Sequence, residues 1–416
     1  MKAISVKETS KLKGTIEIQG SKNTVLPIMA SSLLASGSMV ITNCPDIEDV
    51  HVMCQLLKCL HVKTYYKNHT LEIDTRQATY AMLPAELTGK LRSSVLLLGP
   101  MLAKWQRAQI GMPGGCAIGL RPIDIHLEGF MRMNVDVKLH HDILCCETYY
   151  LQGTDYTLHF PSVGATQNLI MAAVGAKGRT VLRGVAREPE VVELCKHLKH
   201  MGVIIEGVGT DVLTIKGSSS VSCHDYQNVY DRIVAGTYIL MATCISSRIY
   251  LKQIDDIESL KTILQVANQL GANIVRMEQM LCIESDGVVG NGNFETGGFP
   301  AFPTDLQPVL MTVLTKSEKD SSLMEHVFEK RLGIAQDLNQ LGASIRVNGR
   351  EAKIEGGNSL TGHTVRATDL RQGAALVVAG LMSKGYTTIT DISHIERGYE
   401  DIVGDLRKVG ADISYV

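Results

Sequence analysis

The feature that most constrains this chain is an internal repeat. Four segments end alike: HLKHMGVII (197–205), ANQLGANI (267–274), LNQLGASI (338–345) and LRKVGADI (406–413). Two weaker copies are LLKCLHVKT (56–64) and FMRMNVDV (130–137). Aligned, they place His61, Asn134, Gly202, Gly271, Gly342 and Gly410 at one position, with successive spacings of 73, 68, 69, 71 and 68 residues. Glycine or asparagine at such a point signals a helix C-terminus, where the backbone turns left-handed. The residues that follow alternate as a strand does. A period this long exceeds a simple solenoid turn, so each copy must be a small supersecondary structure.

The first copy shows which one. GTIEIQ (14–19) alternates and reads as its opening strand, SKNTVLPIMASSLLAS (21–36) as a helix, and SMVITN (38–43) as a strand. DIEDVHVMCQLLKCL (46–60) follows as an amphipathic helix, and residues 62–75 as a hairpin, giving βαβαββ. The first helix of a copy is apolar nearly all round, as in VLLLGPMLA (95–103), NLIMAAVGA (168–176), TYILMATCI (237–245) and ALVVAGLM (375–382). Such helices belong in an interior. Six of them cannot share one core of sensible size. The expectation is an α/β protein of two domains, each with three βαβαββ units around buried central helices. Residues 21–229 form one domain, and 1–20 with 230–416 form the other. The N-terminal strands are expected to close back on the last unit.

Composition narrows function. The chain has 416 residues, a net charge of −2 and 45% hydrophobic residues. A general nucleic-acid or acidic-membrane binder needs a basic field, so neither partner is expected. MKAISVKETSK lacks the apolar core of a signal peptide, and the run AALVVAGLM (374–382) is too short to span a bilayer. Ten cysteines lie scattered without CxxC pairs or zinc spacing. They read as free thiols in a reducing cytoplasm, with no metal site; Cys145 and Cys146 read as part of a strand.

Polar and charged residues gather where each buried helix begins: Ser21-Lys22-Asn23, Lys90 and Arg92, Ser162 to Thr166, Asp231-Arg232, Thr304-Asp305, and Asp369 with Arg371. A helix N-terminus carries free N–H groups and a partial positive charge, which attract anions. Asp231, Thr304, Asp305 and Asp369 also suit simple N-caps. Capping does not explain Lys22, Arg92, Arg232 or Arg371, because a cation there opposes the dipole; a negative ligand or a neighbouring carboxylate would. If three such ends per domain point the same way, two facing domains enclose an anion-binding cleft. The loop GMPGGCAIGLRPID (111–124) opens with four glycines and two prolines in twelve residues and is a candidate lid. Cys116 on it is either an incidental thiol or one whose pKa Arg121 lowers. Arg397 stands in HIERGYEDI (394–402).

Seven segments in order resemble the enolpyruvyl transferases of the UDP-N-acetylglucosamine 1-carboxyvinyltransferase family over essentially the whole chain. They are GSKNTVLP (20–27), PGGCAIGLRPIDIH (113–126), SVGATQN (162–168), AREPE (186–190), PAFPTDLQ (300–307), ATDLR (367–371) and HIERGYE (394–400). The resemblance implies two inverted α/β barrel domains of three βαβαββ units with the site in the cleft. It implies transfer of the enolpyruvyl group of phosphoenolpyruvate to the 3-hydroxyl of UDP-N-acetylglucosamine, with release of phosphate, as the first committed step of peptidoglycan precursor synthesis. Cys116 matches a general acid that forms a covalent phosphoenolpyruvate adduct, with no other cofactor. Lys22, Arg121 and Arg397 match phosphate-binding cations, and Arg92, Arg331 and Arg371 match further arginines of the site. Asn23 and Asp305 match groups that contact the sugar, Asp305 being the candidate base, and Asp369 lines the same site. Uridine and diphosphate contacts are implied for Arg121, Pro122, Ile123, Asp124 and Ile125, for Ser162, Val163 and Gly164, and for Val327.

The sequence departs from the family pattern at Lys330, Leu332, Val234 and Glu48. Lys330 and Val234 keep open a paralogue acting on another uridine-bearing acceptor. A catalytically silent nucleotide-sugar-binding regulator is the reading from another class, opposed by the joint presence of Cys116, Lys22, Asp305 and Arg397. The GNAGT-like stretch of 5-enolpyruvylshikimate-3-phosphate synthases is absent.

Overall fold

The computed structural model describes residues 2–114, 123–218 and 220–416. The chain divides into two compact α/β units. One holds the described residues up to Gln19 together with Tyr230–Val416; the other holds those from Gly20 to Val229. Among the described residues each unit carries three sheets.

One pairing pattern recurs in all of them: a strand with a parallel neighbour on one side and an antiparallel neighbour on the other. Ser38–Thr42 lies between Tyr226–Gln227 and Thr70–Asp74. Arg179–Arg183 lies between Asp155–Thr157 and Val212–Lys216. Arg107–Gly111 pairs with Ile143–Glu147 and has only a parallel bridge, Leu83 to Ile110, on its other side. In the second unit Ser246–Lys252 lies between Lys11–Glu17 and Met280–Ser285, and Ser321–Met324 between Asn293–Gly297 and Glu351–Ile354. Tyr386–Thr390 lies between Thr364–Arg366 and Ile4–Lys7.

The repeat position fulfils its chemistry. His61, Asn134, Gly202, Gly271, Gly342 and Gly410 all have positive φ, from 58° at His61 to 111° at Gly271. The helix before each one ends there, and the chain leaves in the left-handed conformation that stops further helical bonding.

Two expectations need correction. The strand read at 14–19 as the opening of the first copy is Lys11–Glu17, and it pairs with Ser246–Lys252 in the fourth copy. The first copy receives its parallel strand from Tyr226–Gln227. Alternation shows that a stretch is extended and which face is apolar, but it does not name the partner. A two-residue strand has no period to read. The N-terminal strand Ile4–Lys7 does close the last sheet, pairing with Tyr386–Thr390 and Ile413–Tyr415. Second, the apolar run at 95–103 is not one α-helix: a 3₁₀ segment, Arg92–Leu97, precedes the α-helix Leu98–Trp105.

Each unit packs its own core around three apolar helices. They are Lys22–Ser31, Leu98–Trp105 and Val163–Val174 in one, and Arg232–Cys244, Gln307–Leu314 and Leu370–Met382 in the other. Every residue of the last two is buried. Where Leu98–Trp105 meets Val163–Val174, a Cβ on Gly99 would stand 2.3 Å from the Asn168 carbonyl oxygen. Gly99→Ala is therefore expected to force these helices apart and cost roughly 1–3 kcal/mol in chemical denaturation; an unchanged midpoint would show that they part freely. Among the described residues no helix is long and apolar enough to cross a membrane, and nine cysteines are free.

Candidate active site

In the Gly20–Val229 unit, Ser21 caps the helix Lys22–Ser31 by accepting from the Thr24 N–H. Lys22 therefore starts the helix with its ammonium where the dipole is unfavourable. A carboxylate compensates: Lys22 Nζ lies 2.6 Å from Asp49 Oδ2, with the side chains 11% and 3% exposed. Asp49 sits in the first turn of Glu48–Cys59, where its own charge suits the dipole. Asn23 is half-buried beside Lys22, and Arg92 is half-buried at the start of Arg92–Leu97.

Ser162 repeats the cap on Val163–Val174, accepting from the Ala165 N–H. Val163 and Gly164 are half-buried at that helix start. Behind them Asn168, wholly buried, accepts from the Gly99 N–H at 2.7 Å and donates to the Val95 carbonyl at 2.8 Å. Its amide nitrogen also lies 3.0 Å from His126 Nδ1. Asn168 thus ties the segment carrying Arg92, the start of Val163–Val174 and the helix Asp124–Arg132 together. Asp124 is exposed at the start of that last helix, while Ile123 and Ile125 are buried. Cys116, Arg121 and Pro122 lie outside the described residues.

In the other unit the capping and ligand readings separate. Asp231 and Asp369 are N-caps: Asp231 Oδ1 accepts from the Ile233 and Val234 N–H groups, and Asp369 Oδ1 from those of Arg371 and Gln372. Thr304 and Asp305 are not caps. They lie within a 3₁₀ turn, Thr304–Leu306, and their side chains reach across the unit. Asp305 Oδ1 accepts from Arg331 Nη1 at 2.7 Å and Oδ2 from Arg371 Nη2 at 2.8 Å. The two arginine side chains are 5% and 7% exposed, whereas that of Asp305 is 25% exposed. One carboxylate edge therefore faces out of a buried cationic pair. Burial pushes the Asp305 carboxyl up, but the Arg371 and Arg331 guanidinium groups outweigh it and hold the group well below the usual carboxylate range.

Thr304 Oγ1 donates to the wholly buried carboxylate of Glu325, which also accepts from the Val327 N–H at 2.7 Å and the Phe328 N–H at 3.0 Å. Val327 is half-buried. Arg331 lies with its guanidinium carbon 4.8 Å from the Phe328 ring centroid. Arg397 is half-buried at the end of the short helix Ser393–Glu396. Next to it, Gly398 O and Glu400 N bond the Gln19 side chain.

So the structure brings Asp305, Arg331 and Arg371 into one network and gives Lys22 a buried partner. Asp49, Asn168 and Glu325 escaped the sequence reading. Asp49 had a signal, since a cation at a helix start demanded a carboxylate. Glu325 had none, because a glutamate after a strand reads as solvent-facing.

A sequence model of EPSP synthase (3-phosphoshikimate 1-carboxyvinyltransferase) matches residues 6–406. The chain is also 39% identical over 418 residues to UDP-N-acetylglucosamine 1-carboxyvinyltransferase 2 of Carboxydothermus hydrogenoformans, covering 100% of both. The chain belongs to the UDP-N-acetylglucosamine 1-carboxyvinyltransferase family. A second member, UDP-N-acetylglucosamine 1-carboxyvinyltransferase 1 of Caldanaerobacter subterraneus subsp. tengcongensis, is 40% identical over 408 residues, 98% of each chain. Among solved structures, the enolpyruvyl transferase NikO from Streptomyces tendae superposes with a TM-score of 0.91 at 23% identity, over 100% of this chain and 99% of that one. At that identity the likeness shows the fold alone. Of the departures from the family pattern, Lys330 and Glu48 are exposed and Val234 and Leu332 are core residues; Lys330 and Leu332 flank Arg331 of the Asp305 network.

Proposed function

We infer that this chain transfers the enolpyruvyl group of phosphoenolpyruvate to the 3-hydroxyl of UDP-N-acetylglucosamine, releasing phosphate, in peptidoglycan precursor synthesis. The observation that carries the reading, beside membership of the family, is the buried Arg331–Asp305–Arg371 arrangement. Phosphoenolpyruvate bears up to three negative charges, so its site needs several fixed cations. Arg331 has a buried Nε without an acceptor among the described residues, a donor an anion can take up.

The reaction proceeds by addition and elimination. A proton adds to the methylene carbon of phosphoenolpyruvate, and positive charge develops at C2. The sugar 3-hydroxyl attacks C2 and loses its proton, giving a tetrahedral phosphate adduct. Removal of a methyl proton then expels phosphate and restores the double bond. Cys116 is the proton donor in this reading and also the thiol that adds to phosphoenolpyruvate; its role, like those of Arg121 and Pro122, rests on the sequence. Asp305 is the base. Its arginines keep it ionised but weaken its basicity. An incoming anion that shares those guanidinium groups raises its proton affinity when the hydroxyl must be deprotonated.

Lys22, Arg121 and Arg397 hold phosphate, with Arg92, Arg331 and Arg371 completing the cationic set, and their fixed charge stabilises phosphate as it leaves. Asn23 meets the sugar, and Asp369 lines the site. Ile123, Asp124 and Ile125, with Ser162, Val163, Gly164 and Val327, contact the uridine diphosphate. The chemistry moves no electrons to an acceptor and needs neither metal nor organic cofactor. The free cysteines among the described residues support a cytoplasmic setting.

Intact-mass measurement tests the thiol. Wild-type protein incubated with phosphoenolpyruvate, or with the epoxide fosfomycin, should gain one adduct, and Cys116→Ser should gain none. An adduct that persists in the variant would show another nucleophile.

A further inference from the structure

Glu325 follows the strand Ser321–Met324 and is wholly buried. Its backbone is pinned to Arg350: the Glu325 N–H donates to the Arg350 carbonyl at 2.9 Å, and Arg350 Nη1 donates to the Glu325 carbonyl at 3.1 Å. A buried carboxylate is costly unless several donors satisfy it. Here the donors come from two directions. Oε1 accepts from the Val327 and Phe328 N–H groups, while both carboxylate oxygens stand 3.0 Å from Thr304 Oγ1. With its proton committed to Glu325, Thr304 Oγ1 is left as an acceptor toward Arg331 Nη1, at 3.3 Å. The same Nη1 donates to Asp305 Oδ1.

The geometry points to Glu325 as a positioning residue for the transfer reaction. Through Thr304 it sets the turn that carries Asp305 and aims the Arg331 guanidinium. Through two backbone bonds it sets Val327. The inference rests on the reading above that Asp305 and Val327 meet the acceptor, and it assigns the two arms different consequences. The Thr304 arm governs the chemical step, and the backbone arm governs binding of the nucleotide sugar.

Steady-state kinetics on the full chain separates the arms. Glu325→Gln keeps one oxygen for the backbone N–H groups but replaces the other, one of the two acceptors that the Thr304 hydroxyl has, with an amide donor that competes for Thr304 Oγ1. It should lower kcat by about 10- to 100-fold while KM for UDP-N-acetylglucosamine stays within about threefold. Thr304→Val cuts the same arm from its other end without touching the carboxylate, and should match that loss. The double variant should be no worse than either single one, because both remove one interaction. Wild-type kcat in folded Thr304→Val and Glu325→Gln, or losses that multiply in the double variant, would overturn the proposal. Asp305→Ala run alongside distinguishes the two levels. If it is inactive while the Thr304 and Glu325 variants are normal, the positioning role alone fails; if it still turns over, the site reading fails and takes the positioning role with it.

Discussion

Asp305→Ala is expected to lower turnover by about 1,000-fold, the scale on which a positioned base contributes. The structure adds a second consequence. Asp305 lies between two arginines whose side chains are almost completely buried. Removing it leaves two guanidinium groups facing each other with their shared carboxylate gone, a change that costs roughly 3–5 kcal/mol in a buried ion network. An anion can take the vacated place. Inorganic phosphate should therefore raise the melting temperature of Asp305→Ala more than that of the wild type. Asp305→Asn, which keeps the shape but not the charge, should share the loss of turnover. Turnover within tenfold of wild type in Asp305→Ala would remove Asp305 from the role of base.

The second large effect concerns the Gly20–Val229 unit. His197 on the helix Pro189–His200 is 1% exposed, and neither ring nitrogen has a hydrogen-bond partner among the described residues. It packs edge-on against Tyr226, at 5.3 Å between ring centroids, and against His224 at 6.4 Å; His200 stacks on His224 at 5.0 Å. Glu193, on the same helix, accepts from the Tyr226 hydroxyl. Burial first, then the neighbouring His224 and His200, lowers the His197 pKa to about 4. The unfolded chain takes up this proton near pH 6.5, well before the folded chain does. Stability from this group is thus intact above about pH 6.5 and falls as the pH drops toward 4, by about 3 kcal/mol in all. Urea unfolding at pH 7.5 and pH 4.5 measures it. His197→Phe, which fills the same space and does not titrate, should lose roughly 2–3 kcal/mol less over that interval, which covers most of the titration. An equal loss in both proteins would assign the acid sensitivity to other groups.

What the sequence made legible was local chemistry. The left-handed residues at His61, Asn134, Gly202, Gly271, Gly342 and Gly410 could be read because a helix end is decided by the few residues around it. Lys22 and Arg371 could be flagged because a cation at a helix start contradicts the dipole, and each proves to have a carboxylate, Asp49 and Asp305. Partnership was not legible. The alternation in Lys11–Glu17 shows a strand, yet its neighbour lies more than 200 residues away, at Ser246–Lys252. Thr304 and Asp305 are residue types that favour caps, as the true caps Asp231 and Asp369 are, and only tertiary contact with Arg331, Arg371 and Glu325 sets them apart. Glu325 is the extreme case, since Thr304 and Arg350, which bond it, lie more than 20 residues away in sequence.

The decisive measurement is phosphate released from phosphoenolpyruvate by the purified chain, with and without UDP-N-acetylglucosamine. Release should depend on the nucleotide sugar and match, mole for mole, the enolpyruvyl product formed on its 3-hydroxyl. No release with the nucleotide sugar present, or release at the same rate whatever acceptor is supplied, would contradict the reaction assigned to these residues.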